Sequence, residues 1–453
     1  MPIKVLYWAT PLLAFNYLCP VPSNRILIIT YYWPPSGGPA VQRWLSYSRL
    51  LADAGFEVYV LSVDEKYAQF PGMDESLNAK VDKRVKVFKT RTRELFWLYK
   101  KTVGRGNVPS AAFANESNPG PLKRIARFVR GNFFIPDARK SWNKYALPKA
   151  LELIETYKID TVITAGPPHS SHLMGMKLKQ KTGIRWVADF HDAWTDIIFY
   201  KQLYHTKIAA GLDARLERKV LEQADMVLTV GEQYKQRLCA KSDGIDPDKF
   251  HILRMGYDDE SFDFALVDIQ KIDKQINIVY TGTISDKYNP EVLLDAVSEI
   301  RQERSDLSFK FTFAGILSEN IEAYFQTKGL NDWLDKRGYV SHSESLTLLK
   351  KADILLLVNP QVEQEDMVIP GKIYEYLAAQ KPTLNICSPT AETAAIIEQC
   401  GCGVTFGRNQ KEELKRWLLN IADGKLVFNP DKEEIRKFGK QQQAASLANR
   451  LRK

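Results

Sequence analysis

The chain has 453 residues, 45% of them hydrophobic and 26% charged, with a formal net charge of +9. It is too long for one ordinary domain, and its apolar content fits a globular protein with real cores rather than a disordered chain. The positive balance favours an anionic partner, whether nucleotide phosphates, nucleic acid or an anionic lipid surface, and does not choose among them.

Residues 1–23 are apolar after Lys4, but Pro11 and Asn16 interrupt them. A spanning helix needs about 20 predominantly apolar residues, so this stretch reads as an extension packed on the fold or lying at a membrane surface, with a cleaved signal as the alternative. Arg25–Thr30 (RILIIT) is a continuous apolar run, as a parallel strand covered on both faces should be. Ser36-Gly37-Gly38-Pro39 leads into a helix over Ala40–Ala54, with Pro39 in its first turn and Gly55 as its stop. Gly37 and Gly38 thus stand at a strand-to-helix turn, a common place for backbone to approach a phosphate, without the G-x-G-x-x-G spacing. Glu57–Val63 is the second strand.

Residues 91–143 form a basic insertion with no clear strand. In it, Leu122, Ile125, Ala126, Val129 and Phe133 share one helical face, and Lys123, Arg124, Arg127 and Arg130 fall largely off it. Such a helix suits an anionic bilayer, and it equally suits packing on the domain with its basic face in water.

The strand–helix rhythm then resumes. Helices are expected over Tyr145–Tyr157, Ser170–Thr182, Ile208–Gln223 and Gly231–Cys239, and strands over Thr161–Ala165, Trp186–Phe190, Met226–Val230 and His251–Leu253. The loop Gly166-Pro167-Pro168-His169 is a rigid turn before a helix. His191 and Asp192 follow a strand end, where open α/β sheets place their sites. His191 could hydrogen-bond a substrate hydroxyl or phosphate oxygen, with Asp189 or Asp192 setting its tautomer.

Residues 258–274 read as an interdomain linker. Beyond it the expected strands are Ile276–Thr281, Phe309–Phe313, Gly338-Tyr339-Val340, Ile354–Val358, Thr383–Ile386 and Gly403–Phe406. The expected helices are Pro290–Arg304, Glu319–Lys328, Ser343–Lys351, one starting at Lys372, Thr390–Gln399, Lys411–Ala422 and a polar one over Asp431–Leu451. Pro370 and Gly371 break the chain before Lys372, so the helix opens with free N–H groups, a positive dipole end and a lysine, a natural seat for an anion. Glu375 lies one turn in, within reach of neutral hydroxyls beside a bound phosphate. Gly282-Thr283, with Lys287 just beyond, could cradle a diphosphate. Two such series argue for an α/β protein of two doubly wound parallel-sheet domains facing a cleft. No metal-ligand spacing, nucleophile elbow, P-loop or nucleic-acid module is present, and the five cysteines read as reduced thiols of a cytosolic protein.

Taken together, Ser36-Gly37-Gly38-Pro39, Gly166-Pro167-Pro168-His169-Ser170, Asp189-Phe190-His191-Asp192-Ala193-Trp194, Gly256-Tyr257-Asp258, Gly282-Thr283 and Gly371-Lys372-Ile373-Tyr374-Glu375-Tyr376-Leu377-Ala378-Ala379 resemble retaining glycosyltransferases of family four with the GT-B fold, of the bacterial polysaccharide type. The resemblance implies an acceptor-side Rossmann-like domain over 24–262, a nucleotide-sugar domain over 263–430, and a C-terminal helix over 431–453 crossing back to the first domain. It implies a metal-independent transfer with no cofactor, the nucleotide-sugar being a substrate and a glycan or lipid-linked molecule the acceptor. His191, Lys287 and Lys372 would serve catalysis. Gly282, Thr283, Gly371, Ile373 and Glu375 would hold the donor, and Gly37, Gly38, His169 and Asp192 would face the acceptor. The second of the family's paired glutamates matches Glu375, while the first falls at Met367, with Glu363, Glu365 and Asp366 nearby. The family's diphosphate-binding arginine is absent near Thr283. The implied place is the cytoplasm, at the inner face of the cell membrane if Lys123, Arg124, Arg127 and Arg130 hold it there. Another nucleotide-sugar enzyme of this fold, such as an epimerase, and a non-catalytic adaptor are the alternatives; nucleic acid is not an expected partner.

Overall fold

The computed structural model describes residues 24–93, 120–262, 275–425 and 428–453. The extension 1–23, much of the basic insertion and the linker 263–274 lie outside the described residues.

The first sheet has strands β1 (Arg25–Ile29), β2 (Glu57–Val63), β3 (Lys86–Thr90), β4 (Thr161–Gly166), β5 (Arg185–Phe190), β6 (Met226–Thr229) and β7 (Phe250–Ile252). All pair in parallel, in the order β3-β2-β1-β4-β5-β6-β7. The second has β8 (Gln275–Thr281), β9 (Ser308–Ala314), β10 (Leu334–Gly338), β11 (Ile354–Val358), β12 (Thr383–Ile386) and β13 (Gly403–Phe406), again parallel, in the order β10-β9-β8-β11-β12-β13. The helices are α1 (Pro39–Asp53), α2 (Pro121–Phe133), α3 (Asn143–Tyr157), α4 (Ser170–Thr182), α5 (Lys207–Gln223), α6 (Glu232–Cys239), α7 (Glu291–Glu303), α8 (Glu319–Thr327), α9 (His342–Lys351), α10 (Lys372–Ala379), α11 (Glu392–Gln399), α12 (Lys411–Ala422), α13 (Lys432–Arg436) and α14 (Lys440–Leu451).

Alternation along buried strands explains the layering. Leu27 and Ile29 of β1 join one core with Trp142 and Trp186, while Ile26 and Ile28 join the opposite core with Val41 and Trp44. In the second sheet Ile354, Leu356 and Val358 face one layer and Leu355 and Leu357 the other. Each such side chain contributes roughly 1.5–3 kcal/mol by leaving water, which is why strands buried on both sides read as unbroken apolar runs. Strand order reverses between β1 and β4 and between β8 and β11, so each sheet has a crevice at the carboxyl ends of those strands.

Three expectations need correction. Strand β3 (KVFKT) was not among the expected strands; it is a partly exposed edge strand with few apolar residues. The strand expected at Gly338-Tyr339-Val340 lies earlier, at Leu334–Gly338, also at a sheet edge. The single helix over Asp431–Leu451 is two. Helix α13 and Phe438 pack on the second lobe through Ile435, and α14 crosses back to lay Ala444, Leu447, Ala448 and Leu451 against the first. The two chain segments that pass between the lobes are bonded to each other: Tyr257 N donates to Phe438 O at 3.3 Å and Lys440 N to Tyr257 O at 3.0 Å.

Helix α2 sits the opposite way round from a helix with its apolar stripe on the core. Leu122 is 69% exposed and Ile125 61%, while Arg127 is 2% exposed. Gly131 explains the seating, because any side chain there would collide with Leu203. Arg127 Nη1 donates to Gln202 Oε1 at 3.5 Å on the same side. Lys123 and Arg124 are exposed, but Arg127 is not part of any surface row with them.

Candidate active site

On the second lobe the site is built where β8 and β11 part. Strand β8 ends in Thr281, and Gly282 follows with φ 103°, a conformation that favours glycine. A Cβ at Gly282 would stand 3.3 Å from Lys372 Nζ, so the bare backbone lets that ammonium close in. Lys372 is the first residue of α10, and its Nζ lies 3.6 Å from the centre of the Tyr280 ring. Burial lowers its pKa to about 7, against a smaller upward pull from Glu375. No carboxylate among the described residues forms an ion pair with it. The amides of Gly371 and Lys372 donate to no acceptor among the described residues, whereas Ile373 N donates to Pro370 O at 3.0 Å. Thus two N–H groups without an acceptor among the described residues stand at the start of α10, on and beside the residue that carries the ammonium.

On the first lobe His191 follows β5. Its side chain is 13% exposed, its Nε2 is 4.0 Å from Asp192 Oδ1, and its buried Nδ1 has no hydrogen-bond partner. Burial lowers its pKa; Asp192 opposes this and Arg43 adds to it. The adjoining Asp189 is fully committed elsewhere. It accepts from Arg43 Nη2 at 2.8 Å, Arg43 Nε at 3.1 Å and Trp44 Nε1 at 2.8 Å, and so ties the end of β5 to α1. The loop beyond His191 is clamped by α5: Trp194 Nε1 donates to Asp213 at 2.7 Å, Tyr200 to Asp213 at 3.0 Å and Thr195 Oγ1 to Glu217 at 2.5 Å. The Arg43 charge acts both on His191 of the first lobe and on the buried Tyr374 of α10 in the second.

Two family models match this chain, one described as Glycosyltransferase Family 4 over residues 40–261 and the other as Glycosyl transferases group 1 over residues 275–423. Between them they take in every strand of both sheets except β1. The chain belongs to the glycosyltransferases. No curated protein matches its sequence. Solved structures share the glycosyltransferase's two-lobed GT-B fold at low identity. Sucrose-phosphate synthase from Thermosynechococcus elongatus is 15% identical with a TM-score of 0.56, covering 94% of this chain and 98% of its own. The lipopolysaccharide outer core galactosyltransferase WaaB is 13% identical with a TM-score of 0.57, covering 94% and 98%. S. aureus TarM, solved with UDP, is 11% identical with a TM-score of 0.54, covering 94% and 99%.

In the glycosyltransferase Gly282 stands beside Lys372, the first residue of α10, which also carries Glu375 and follows Gly371, while Thr283 and Lys287 lie on the loop that begins at Gly282. Lys287 is half-buried, its carbonyl accepts Gln361 N at 2.7 Å, and its ammonium has no ion pair among the described residues. Gly37 and Gly38 lie on the turn into α1, where Gly37 N donates to Gly72 O at 3.0 Å. Asp192 is 49% exposed at the end of β5.

Two residues are placed differently from expectation. His169 is buried, stacked on Trp194 at 5.0 Å with rings 6° apart, and burial takes its pKa down to about 3. It is a neutral part of an aromatic stack beneath the loop. Ile373 is fully buried, and its amide is used by Pro370, so it offers a donor nothing directly. The acids near Met367 are also spoken for. Glu365 holds Arg408 and Ser388 N, Asp366 accepts Arg237 Nη2 at 2.9 and 3.1 Å, and Glu363 pairs with Lys201. The last two cross between the lobes. A stronger crossing is Glu392, which accepts from Glu232 N and Gln233 N at 2.8 Å each and from Arg254 at 3.1 Å. None of Arg43, Arg254, Glu392 or His342 carried a sequence signal, since each acts through a partner distant in the chain.

Proposed function

We propose that this glycosyltransferase moves a sugar from a nucleotide-sugar donor to a glycan or lipid-linked acceptor, with retention at the anomeric carbon and without a metal, in the building of cell-envelope polysaccharide. The observation that carries this reading is the Lys372 ammonium, enclosed against Tyr280 and Gly282 with no carboxylate pair among the described residues. Breaking the glycosyl–phosphate bond builds negative charge on the departing diphosphate. A fixed cation and two aimed N–H groups in a site of low dielectric stabilise that charge, which is usually the largest catalytic contribution. Glu375 would receive the ribose hydroxyls. His191, with Nδ1 buried and unsatisfied, would donate to or accept from a hydroxyl of the sugar. Lys287 would close the diphosphate from the Gly282 side. The envelope assignment is supported by the resemblance and by WaaB among the structural neighbours. Lys372→Ala should lower turnover by roughly 10²–10³, and Glu375→Ala should weaken binding of UDP or GDP. Wild-type kinetics in both variants, across a panel of nucleotide sugars, would remove the donor site from this crevice.

A second contact is favoured by α2. Its outward Leu122, Ile125, Phe128, Val129 and Phe133, joined by exposed Tyr204, Ile208 and Leu212 nearby, with Lys123 and Arg124 beside them, suit the interface of an anionic bilayer. No described helix is long and apolar enough to cross a membrane. Co-sedimentation with anionic vesicles should fall when Ile125 and Phe133 are both changed to Ser. Unchanged binding, or none in the wild type, would remove this face as a membrane contact.

A further inference from the structure

Glu375 does not stand alone. His342 Nε2 lies 2.9 Å from Glu375 Oε1, joining the first residue of α9 to the first turn of α10. The pair is open to solvent: the Glu375 side chain is 28% exposed and that of His342 64%. Glu375 Oε2 has no hydrogen bond among the described residues. A carboxylate on a short helix can swing between rotamers. One held at a single oxygen presents the other in a fixed direction, with its remaining lone pairs outward.

We propose that His342 is a positioning residue for nucleotide binding: it pins Glu375 through Oε1 and leaves Oε2 aimed at the vicinal hydroxyls of a nucleoside's ribose. The proposal rests on the donor-site reading of α10. His342 also manages charge. A bare carboxylate beside a nucleoside diphosphate repels it, and an imidazolium on that carboxylate cancels the repulsion. The groups facing His342 are Glu375 on α10, Lys80 from the first lobe and Lys440 at the start of α14, with Glu344 on its own helix; Lys372 acts on Glu375 from one turn earlier. The bond to Glu375 raises the pKa of His342, against burial and the two lysines. Protonated histidine therefore gives the tighter nucleotide complex, and binding draws the proton more firmly onto the ring.

The test is titration calorimetry of the full chain with UDP and GDP at about pH 6 and about pH 8. His342→Ala should weaken nucleotide binding by about tenfold at the lower pH, as expected for loss of a charge-assisted bond. His342→Gln, which donates without titrating, should bind as the wild type does at the higher pH. It should lose part of the gain on acidification, the share of Lys372 being common to both proteins. The fold should persist in each, since the ring is mostly in water. If His342→Ala and His342→Gln both match the wild type at both pH values while Glu375→Ala binds weakly, His342 has no positioning role and the proposal fails alone. If Glu375→Ala itself binds as the wild type does, the donor-site reading fails and takes the proposal with it.

Discussion

The Lys372 ammonium lies 3.6 Å from the centre of the Tyr280 ring, and that ring's hydroxyl donates to Thr283 O at 2.9 Å. One aromatic side chain therefore supports the cation from below and fixes the turn that flanks it. The face of the ring offers weak attraction to a cation, enough to orient Lys372 and too little to compensate its loss of water, so the site retains an unmet demand for negative charge.

That demand predicts a pH dependence. Lys372 is lowered to about 7 in the fold, far beneath the ordinary lysine value, so it is charged below and neutral above that point. Without ligand, the unfolded chain holds a proton the fold does not across the interval above about 7, and this group makes the fold more stable as pH rises there. A nucleoside diphosphate prefers the charged form. Affinity for UDP should rise as pH falls through about 7, with a proton taken up on binding, visible as a buffer-dependent heat in calorimetry. Lys372→Ala should bind weakly and show a smaller uptake. Binding in the wild type with no proton exchange would contradict this.

Glu392 predicts the strength of the lobe contact. Its side chain is 5% exposed, caps the N-terminus of α6 from the opposite lobe and pairs with Arg254, itself 14% exposed. Glu392→Ala should cost about 1–3 kcal/mol, the sum of a lost helix cap and a poorly satisfied arginine. Hydrogen exchange should quicken first at the amides of Glu232 and Gln233. A variant with unchanged urea midpoint and unchanged exchange there would mean that the cap forms only incidentally.

Asp189 predicts a larger loss. Arg43 and Asp189 are both 0% exposed and each depends on the other. Asp189→Ala strands a buried guanidinium and frees Trp44 Nε1, at a cost of about 3–5 kcal/mol. Chemical denaturation should show this, with nucleotide binding at the other lobe retained in whatever fraction remains folded. A loss well below 1 kcal/mol would show that water reaches Arg43.

The reach of the sequence follows from what each element must satisfy. Runs such as Ile354–Val358 are buried on both faces, so composition alone places them and nearly every central strand is readable. The edge strands β3 and β10 meet water, carry lysine and arginine, and resemble loops. Helix α2 shows a second limit. The spacing of Leu122, Ile125 and Phe133 reports that two faces differ, and only tertiary structure reports which one the protein covers. The glycine and lysine at the mouth of α10 were legible because helix termini have local chemistry. The engagement of Glu363, Glu365 and Asp366 by Lys201, Arg408 and Arg237 was not, because each partner lies far away in the chain.

The bonds between Tyr257 and the segment Phe438–Lys440 have a mechanical consequence. Two strips of backbone pinned side by side resist sliding or twisting past one another, as the knuckles of a door do. Any widening of the gap should then be greatest at the rim and least beside Gly256, whose positive φ of 67° and tight seat against Phe438 leave no room for a larger residue. On the proposed donor site at the mouth of α10, large acceptors would gain entry by the angle of opening.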